Sequence, residues 1–93
     1  MLVMIKSAPD TTDGARGLTL AKEGGADVVL LQNGVYFAQK EKLGSFTGAV
    51  YVLDDDKRLR GLKDSEMDVR AKTIGYDSLT EIITGGEKVV GMF

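Results

Sequence analysis

The chain has no cysteine and no histidine. The first absence excludes disulfides and thiolate chemistry, and the second excludes imidazole bases. Together they remove the usual zinc ligands. Any chemistry carried out by this chain alone falls to carboxylates, lysine, serine, threonine or tyrosine. A nucleophile at Ser7 would lack its histidine base, which argues against a triad hydrolase. Long apolar runs are also missing. None approaches the roughly 20 residues of a membrane-spanning helix. Leu2 to Ile5 is too short, and its flank too acidic, for a secretory segment, so the expected compartment is the cytoplasm. Excess positive charge is absent too: the net charge is −2 and the basic residues are scattered. Direct nucleic-acid binding, which needs a concentrated positive surface, is therefore disfavoured.

What remains is an ordinary globular composition, 43% hydrophobic and 28% charged, in 93 residues. That length predicts one domain, residues 1–93, with a limited core. The chain is organised around Asp27-Val28-Val29-Leu30-Leu31, a branched apolar run suited to a strand covered on both faces. Leu2 to Ile5 and Ala49 to Leu53 read as two further buried strands. Arg70 to Gly75 and Lys88 to Phe93 read as weaker ones. Strands one to three are therefore expected at the centre and strands four and five at the edges.

Helical segments alternate with these strands. Pro9 disfavours helix at Ala8, and Thr11 or Thr12 can cap a helix running to about Glu23, with Gly24-Gly25 as its left-handed exit. Ala15, Leu18 and Ala21 are expected on its buried face, with Leu20 opposite. Asn33 is read as the cap of a helix through about Lys42, in which Val35, Ala38 and Leu43 face inward and Tyr36 borders them. Phe37 then projects outward among Lys40 and Glu41, either folded over its own helix or making a subunit contact. Asp54-Asp55-Asp56, followed by Lys57, Arg58 and Arg60, matches a helix dipole at both ends. Within one helical turn the three carboxylates cannot converge on a single metal ion. Lys63 to Asp68 is a loop or a turn of helix. Asp77 or Ser78 is expected to cap the last helix, whose stripe is Tyr76, Leu79, Ile82 and Ile83. The βαβαβαβαβ alternation predicts an α/β fold with a mainly parallel sheet and helices on both faces.

In such a sheet ligands sit at the carboxyl ends of the strands. The candidate site is therefore Gln32, Asn33 and Gly34 after strand two, beside Lys6, Ser7 and Asp10 after strand one. It is either a cap and tight turn or a surface for a partner or anion. No Walker sequence and no GxGxxG follows strand one, and no cofactor is expected.

The run Leu30-Leu31-Gln32-Asn33-Gly34-Val35-Tyr36 resembles the DsrH/TusB branch of the DsrE/DsrF/DsrH sulfur-relay family. Val52-Leu53-Asp54-Asp55-Asp56 after strand three and Tyr76-Asp77-Ser78-Leu79-Thr80-Glu81-Ile82-Ile83 before the last strand extend the likeness over nearly the whole chain. The resemblance implies a five-stranded α/β/α sandwich with strand order 4-3-2-1-5. It further implies a cytoplasmic subunit of complexes that pass persulfide sulfur, toward tRNA wobble-uridine 2-thiolation or toward sulfur oxidation. Some members carry a cysteine in the first helix, near the position of Leu18 here. Without that cysteine, the implied role is non-enzymatic. This chain would be an interaction subunit, homo-oligomeric or paired with DsrE/DsrF-like (TusD/TusC-like) chains through Gln32, Asn33, Gly34, Tyr36 and Phe37. The alternative is a small module binding an anion or nucleotide at the rim.

Overall fold

The computed structural model describes all residues, Met1–Phe93. Its strands are β1 (Leu2–Ile5), β2 (Asp27–Leu30), β3 (Val50–Leu53), β4 (Ala71–Ile74) and β5 (Val89–Met92). They form one sheet in the order β4-β3-β2-β1-β5, and every pairing is parallel. The helices are α1 (Thr12–Gly24), α2 (Asp54–Leu59) and α3 (Tyr76–Thr84). Two 3-10 segments, Gln32–Ala38 and Asp64–Glu66, complete the chain. The apolar strands β1 to β3 do lie at the centre. Each can be covered on both faces because its residues alternate between two cores.

On one face Val3, Ile5, Val28, Leu30, Val50 and Val52 meet Ala21, Val35, Phe37, Ala38, Leu43 and Phe46. On the other, Leu2, Met4, Val29, Leu53 and Ile74 meet Leu79 of α3. Burying each large aliphatic or aromatic side chain contributes about 1.5–3 kcal/mol. The first core therefore supplies most of the apolar burial, and the face under α3 is the thinner layer.

α1 is capped as its sequence suggests. The Thr11 hydroxyl accepts from the Gly14 N–H at 3.0 Å, and Gly25 closes the helix at φ 65°. Its buried face is different from the expected one. Gly14, Gly17 and Ala21 point at the sheet, Leu18 is half-buried and Ala15 is exposed. The reason is distance. A Cβ on Gly14 would stand 2.2 Å from the Ala8 carbonyl oxygen, and one on Gly17 2.9 Å from Cβ of Phe93. The helix sits so close to its neighbours that its inner face has no room for side chains there.

The segment after β2 also departs from expectation. It is a 3-10 helix ending at Ala38, without a side-chain cap. At three residues per turn, Phe37 falls directly over Gly34 and turns inward. Phe37 is 3% exposed, so the outward aromatic expected from α-helical spacing is a core residue. Beyond Ala38 the backbone extends, and Gln39 bridges Met67 in antiparallel fashion. The Asp68 N–H reaches the Ala38 carbonyl at 2.7 Å, which stops the helix short of Lys42. α3 starts at Tyr76 behind Gly75, so neither Asp77 nor Ser78 caps it. Within its stripe Leu79 is buried and Ile82 half-buried, whereas Tyr76 and Ile83 are exposed.

Candidate functional site

The carboxyl rim of β1, β2 and β3 is built around one close approach. A Cβ on Gly34 would lie 2.0 Å from the Ile5 carbonyl oxygen, so only glycine lets this backbone rest on the end of β1. Gly34 has no need of a left-handed conformation. The residue at positive φ is Gln32, at 49°. The Leu31 N–H donates to the Ile5 oxygen at 3.0 Å, and the Gly34 N–H donates to the Leu31 oxygen at 2.9 Å. These bonds fix the turn against β1.

α2 holds the turn from the other side. The Gln32 N–H donates to a carboxylate oxygen of Asp56 at 2.7 Å. Arg60 Nε donates to the Asn33 side-chain oxygen at 3.0 Å, and Arg60 Nη1 donates to the Asp56 carbonyl at 3.2 Å. Asn33 is thus a tether to α2 and not a helix cap. The acidic triplet has separate duties. Asp54 and Asp55 pair with Arg58 at 3.0 and 3.2 Å, while Asp56 faces Arg60 and the turn. Lys57, a buried cation on α2, is neutralised by Asp64.

The side chains of Gln32 and Asn33 are exposed, Tyr36 is half-buried and Gly34 is buried. Tyr36 borders a shallow cleft of about 490 Å³ together with Ala8, Pro9, Asp10, Gln39 and Lys42. The structure therefore divides the expected site. Gln32 and Asn33 face α2, Tyr36 faces the cleft, and Phe37, lying in the core, offers no surface to a partner. Sequence reasoning missed Asp56 and Arg60, although their i, i+4 spacing was visible, because the triplet was read only against the helix dipole. It also missed Gln39 and Lys42, whose place in the cleft depends on the helix ending early.

Below the cleft, Arg70 fastens the loop after it to the start of β4. Its guanidinium donates to Asp68 at 2.7 and 2.9 Å and to the carbonyls of Phe46 and Gly44 at 2.7 and 3.3 Å. The guanidinium bonds to Asp68, together with the Arg70 backbone N–H at 2.9 Å, hold the Asp68 carboxyl down from 3.8 to about 2.

The parallel sheet order, the short turn on β1 and the acidic start of α2 can be set beside known proteins. The family model described as DsrH like protein matches residues 6–89. The chain belongs to the DsrH-like family. A solved relative in structure is protein Tm0979 from Thermotoga maritima, determined by solution NMR. It is 26% identical with a TM-score of 0.67, and the match covers 98% of this chain and 100% of that one. No curated protein sequence matches. Within this DsrH-like chain, the region around Leu18 lies in the middle of α1, and Leu18 itself packs against the larger core. The chain offers no thiol there or elsewhere. No helix is long and apolar enough to cross a membrane.

Proposed function

We propose that this DsrH-like chain is a non-catalytic subunit of a cytoplasmic sulfur-relay complex and acts through protein contacts. The observation that carries this reading is a sulfur-relay family fold in a chain without a single cysteine. Persulfide transfer requires a thiolate to hold the sulfur. In such a complex the sulfur passes between cysteine-bearing DsrE/DsrF-like chains, toward tRNA thiolation or sulfur oxidation, and this chain positions them. Exposed Gln32 and Asn33, with Tyr36 at the cleft, form the docking rim.

The rim is poorly suited to the alternative role of anion capture. The Gln32 amide already binds the Asp56 carboxylate, and the Gly34 amide is bonded to Leu31. An incoming anion would meet a carboxylate in place of free N–H groups.

The test has two parts. In a radiolabelled transfer assay with a cysteine desulfurase, the purified chain is expected to acquire no reductant-sensitive sulfur label. When isolated from its native host, it is expected to co-purify with a cysteine-bearing DsrE/DsrF-like chain. Stable label on this chain, or isolation without any such partner, would refute the proposal.

A further inference from the structure

The loop between β1 and α1 supplies Ala8, Pro9 and Asp10 to one wall of the cleft, and it is held unevenly. Its far end is fixed by α1. The Ala8 carbonyl accepts from the Thr11 N–H at 3.1 Å and from the Thr11 hydroxyl at 2.7 Å, and it rests on Gly14. The near end makes no such bonds. The N–H groups of Lys6, Ser7 and Ala8 form no main-chain hydrogen bond. What holds this end is a side chain: the Ser7 hydroxyl donates to the main-chain oxygen of Phe93, 86 positions away.

Phe93, one residue beyond β5, is itself fixed in two ways. Its N–H donates to the Met4 carbonyl at 2.8 Å, which continues the ladder of β5 on β1. Its ring is half-buried against the larger core, in a space that two glycines from different elements leave open. A Cβ on Gly17 of α1 would stand 2.9 Å from Cβ of Phe93, and one on Gly91 of β5 would stand 2.6 Å from the ring at Cε2. Neither glycine takes a positive φ, so backbone conformation does not call for it. Glycine is also a poor residue for a helix interior such as position 17. The Phe93 ring is what both positions accommodate.

We propose that Phe93 is a latch for one wall of the cleft and so a positioning residue for docking. Its ring, seated between Gly17 and Gly91, fixes its main-chain oxygen against Ser7, and the Ser7 hydroxyl in turn fixes the start of the Ala8–Asp10 wall. The opposite wall, from Tyr36 to Lys42, is fastened separately, by Gly34 on Ile5 and by Gln39 on Met67. The form of the cleft thus depends on two independent anchors. Loss of the Phe93 anchor loosens one wall while the other stays in place. Burying an aromatic ring contributes more than one neutral hydrogen bond, so losing the ring is the more severe change. The consequence for docking rests on the rim reading; the hold on the loop does not.

Amide exchange on the full chain reads the two walls separately. Thr11, whose N–H is bonded to Ala8, reports the first, and Gly34, bonded to Leu31, reports the second. Phe93→Ala is expected to speed Thr11 exchange roughly tenfold relative to Gly34, and Ser7→Ala by a smaller factor. Gly91→Ala evicts the ring while leaving Phe93 and Ser7 intact, and it is expected to match Phe93→Ala. The double variant is expected to be no worse than either single one, because the added methyl then meets no ring. Capture of a DsrE/DsrF-like chain is expected to weaken in the same order. Equal acceleration at Thr11 and Gly34 is a general loss of stability and overturns the inference. So does a Thr11 rate that none of the variants moves, or additive effects of Gly91→Ala and Phe93→Ala. Lys42→Glu separates the two readings. If it weakens capture and the Phe93 and Ser7 variants do not, the rim stands and the positioning role is overturned. If none of them weakens capture, the rim reading fails, and the exchange ratio alone decides the latch.

Discussion

Gly34→Ala is the smallest change that challenges the close approach at the rim. The added methyl would stand 2.0 Å from the Ile5 carbonyl oxygen and 2.7 Å from the carbonyl carbon. Ordinary C···O contacts begin at about 3.3 Å, so more than an ångström must be recovered. The obstacle is backbone, and no rotamer change can supply that distance. Lifting the turn would stretch the Leu31 to Ile5 bond and pull Gln32 from Asp56. Overpacking usually costs about 1–3 kcal/mol, and a backbone obstacle tied down on both sides belongs at or beyond the upper end. For a domain of this size that is a fall of roughly 12–24 °C in Tm. The control is Gly44→Ala. Gly44 lies at φ 57° with nothing within 4 Å of a built Cβ, so its cost is conformational alone, about 1–2 kcal/mol. Thermal and urea unfolding of both variants should rank Gly34→Ala well below Gly44→Ala. Equal losses, or a Gly34→Ala protein melting within a few degrees of the parent, would refute the steric reasoning.

Two further outcomes are expected. The Asp68 carboxyl has a lower pKa folded than unfolded, so its contribution is full above about pH 4 and is lost as pH falls through about 2; Asp68→Asn should lower Tm at neutral pH and flatten the acid limb, and an unchanged acid limb would count against the Arg70 pairing. At the rim, Asn33→Ala should cost about 1 kcal/mol or less by freeing half-buried Arg60 and should weaken partner capture, and Lys42→Glu in the cleft should leave Tm nearly unchanged while also weakening capture of a DsrE/DsrF-like chain. Capture unaffected by Lys42→Glu would remove the cleft from the docking surface.

The strands were legible because a continuous branched run such as Val28-Val29-Leu30 has few uses other than a central parallel strand. Their rank in apolarity also separated the central strands from the two edges, whereas the order itself followed only from the family resemblance. The faces of helices were less legible. Gly14 and Gly17 contribute nothing to a hydrophobic stripe, yet they form the inner face of α1, because the space there is taken by the Ala8 carbonyl at Gly14 and by the Phe93 and Ile5 side chains at Gly17. Phe37 was misplaced for a related reason. Whether a segment turns at three residues or at 3.6 is set by long-range contacts, here the Gly34 backbone on Ile5 and the Gln39 bridge to Met67. The same contacts decided which candidate residues reach the surface. Asn33 was expected to cap a helix, but its side chain instead accepts from Arg60, which lies 27 positions away and which no local rule indicates.

The topology explains why this chain has surface to offer. From β1 through β2 and β3 to β4 the chain advances in one direction across the sheet. Right-handed crossovers place all three connections on one face. Only the return from β4 to β5 crosses the other face, and α3 alone makes it. A crossover helix runs along the strands and is about 10–12 Å across, whereas five strands span about 19 Å. One helix cannot cover that width. The shortfall appears where α3 gives out, at Ile83, Val89 and Met92. In a DsrH-like chain without cysteine, under the role proposed above, apolar surface left over by the topology is a more economical basis for assembly than any dedicated binding element.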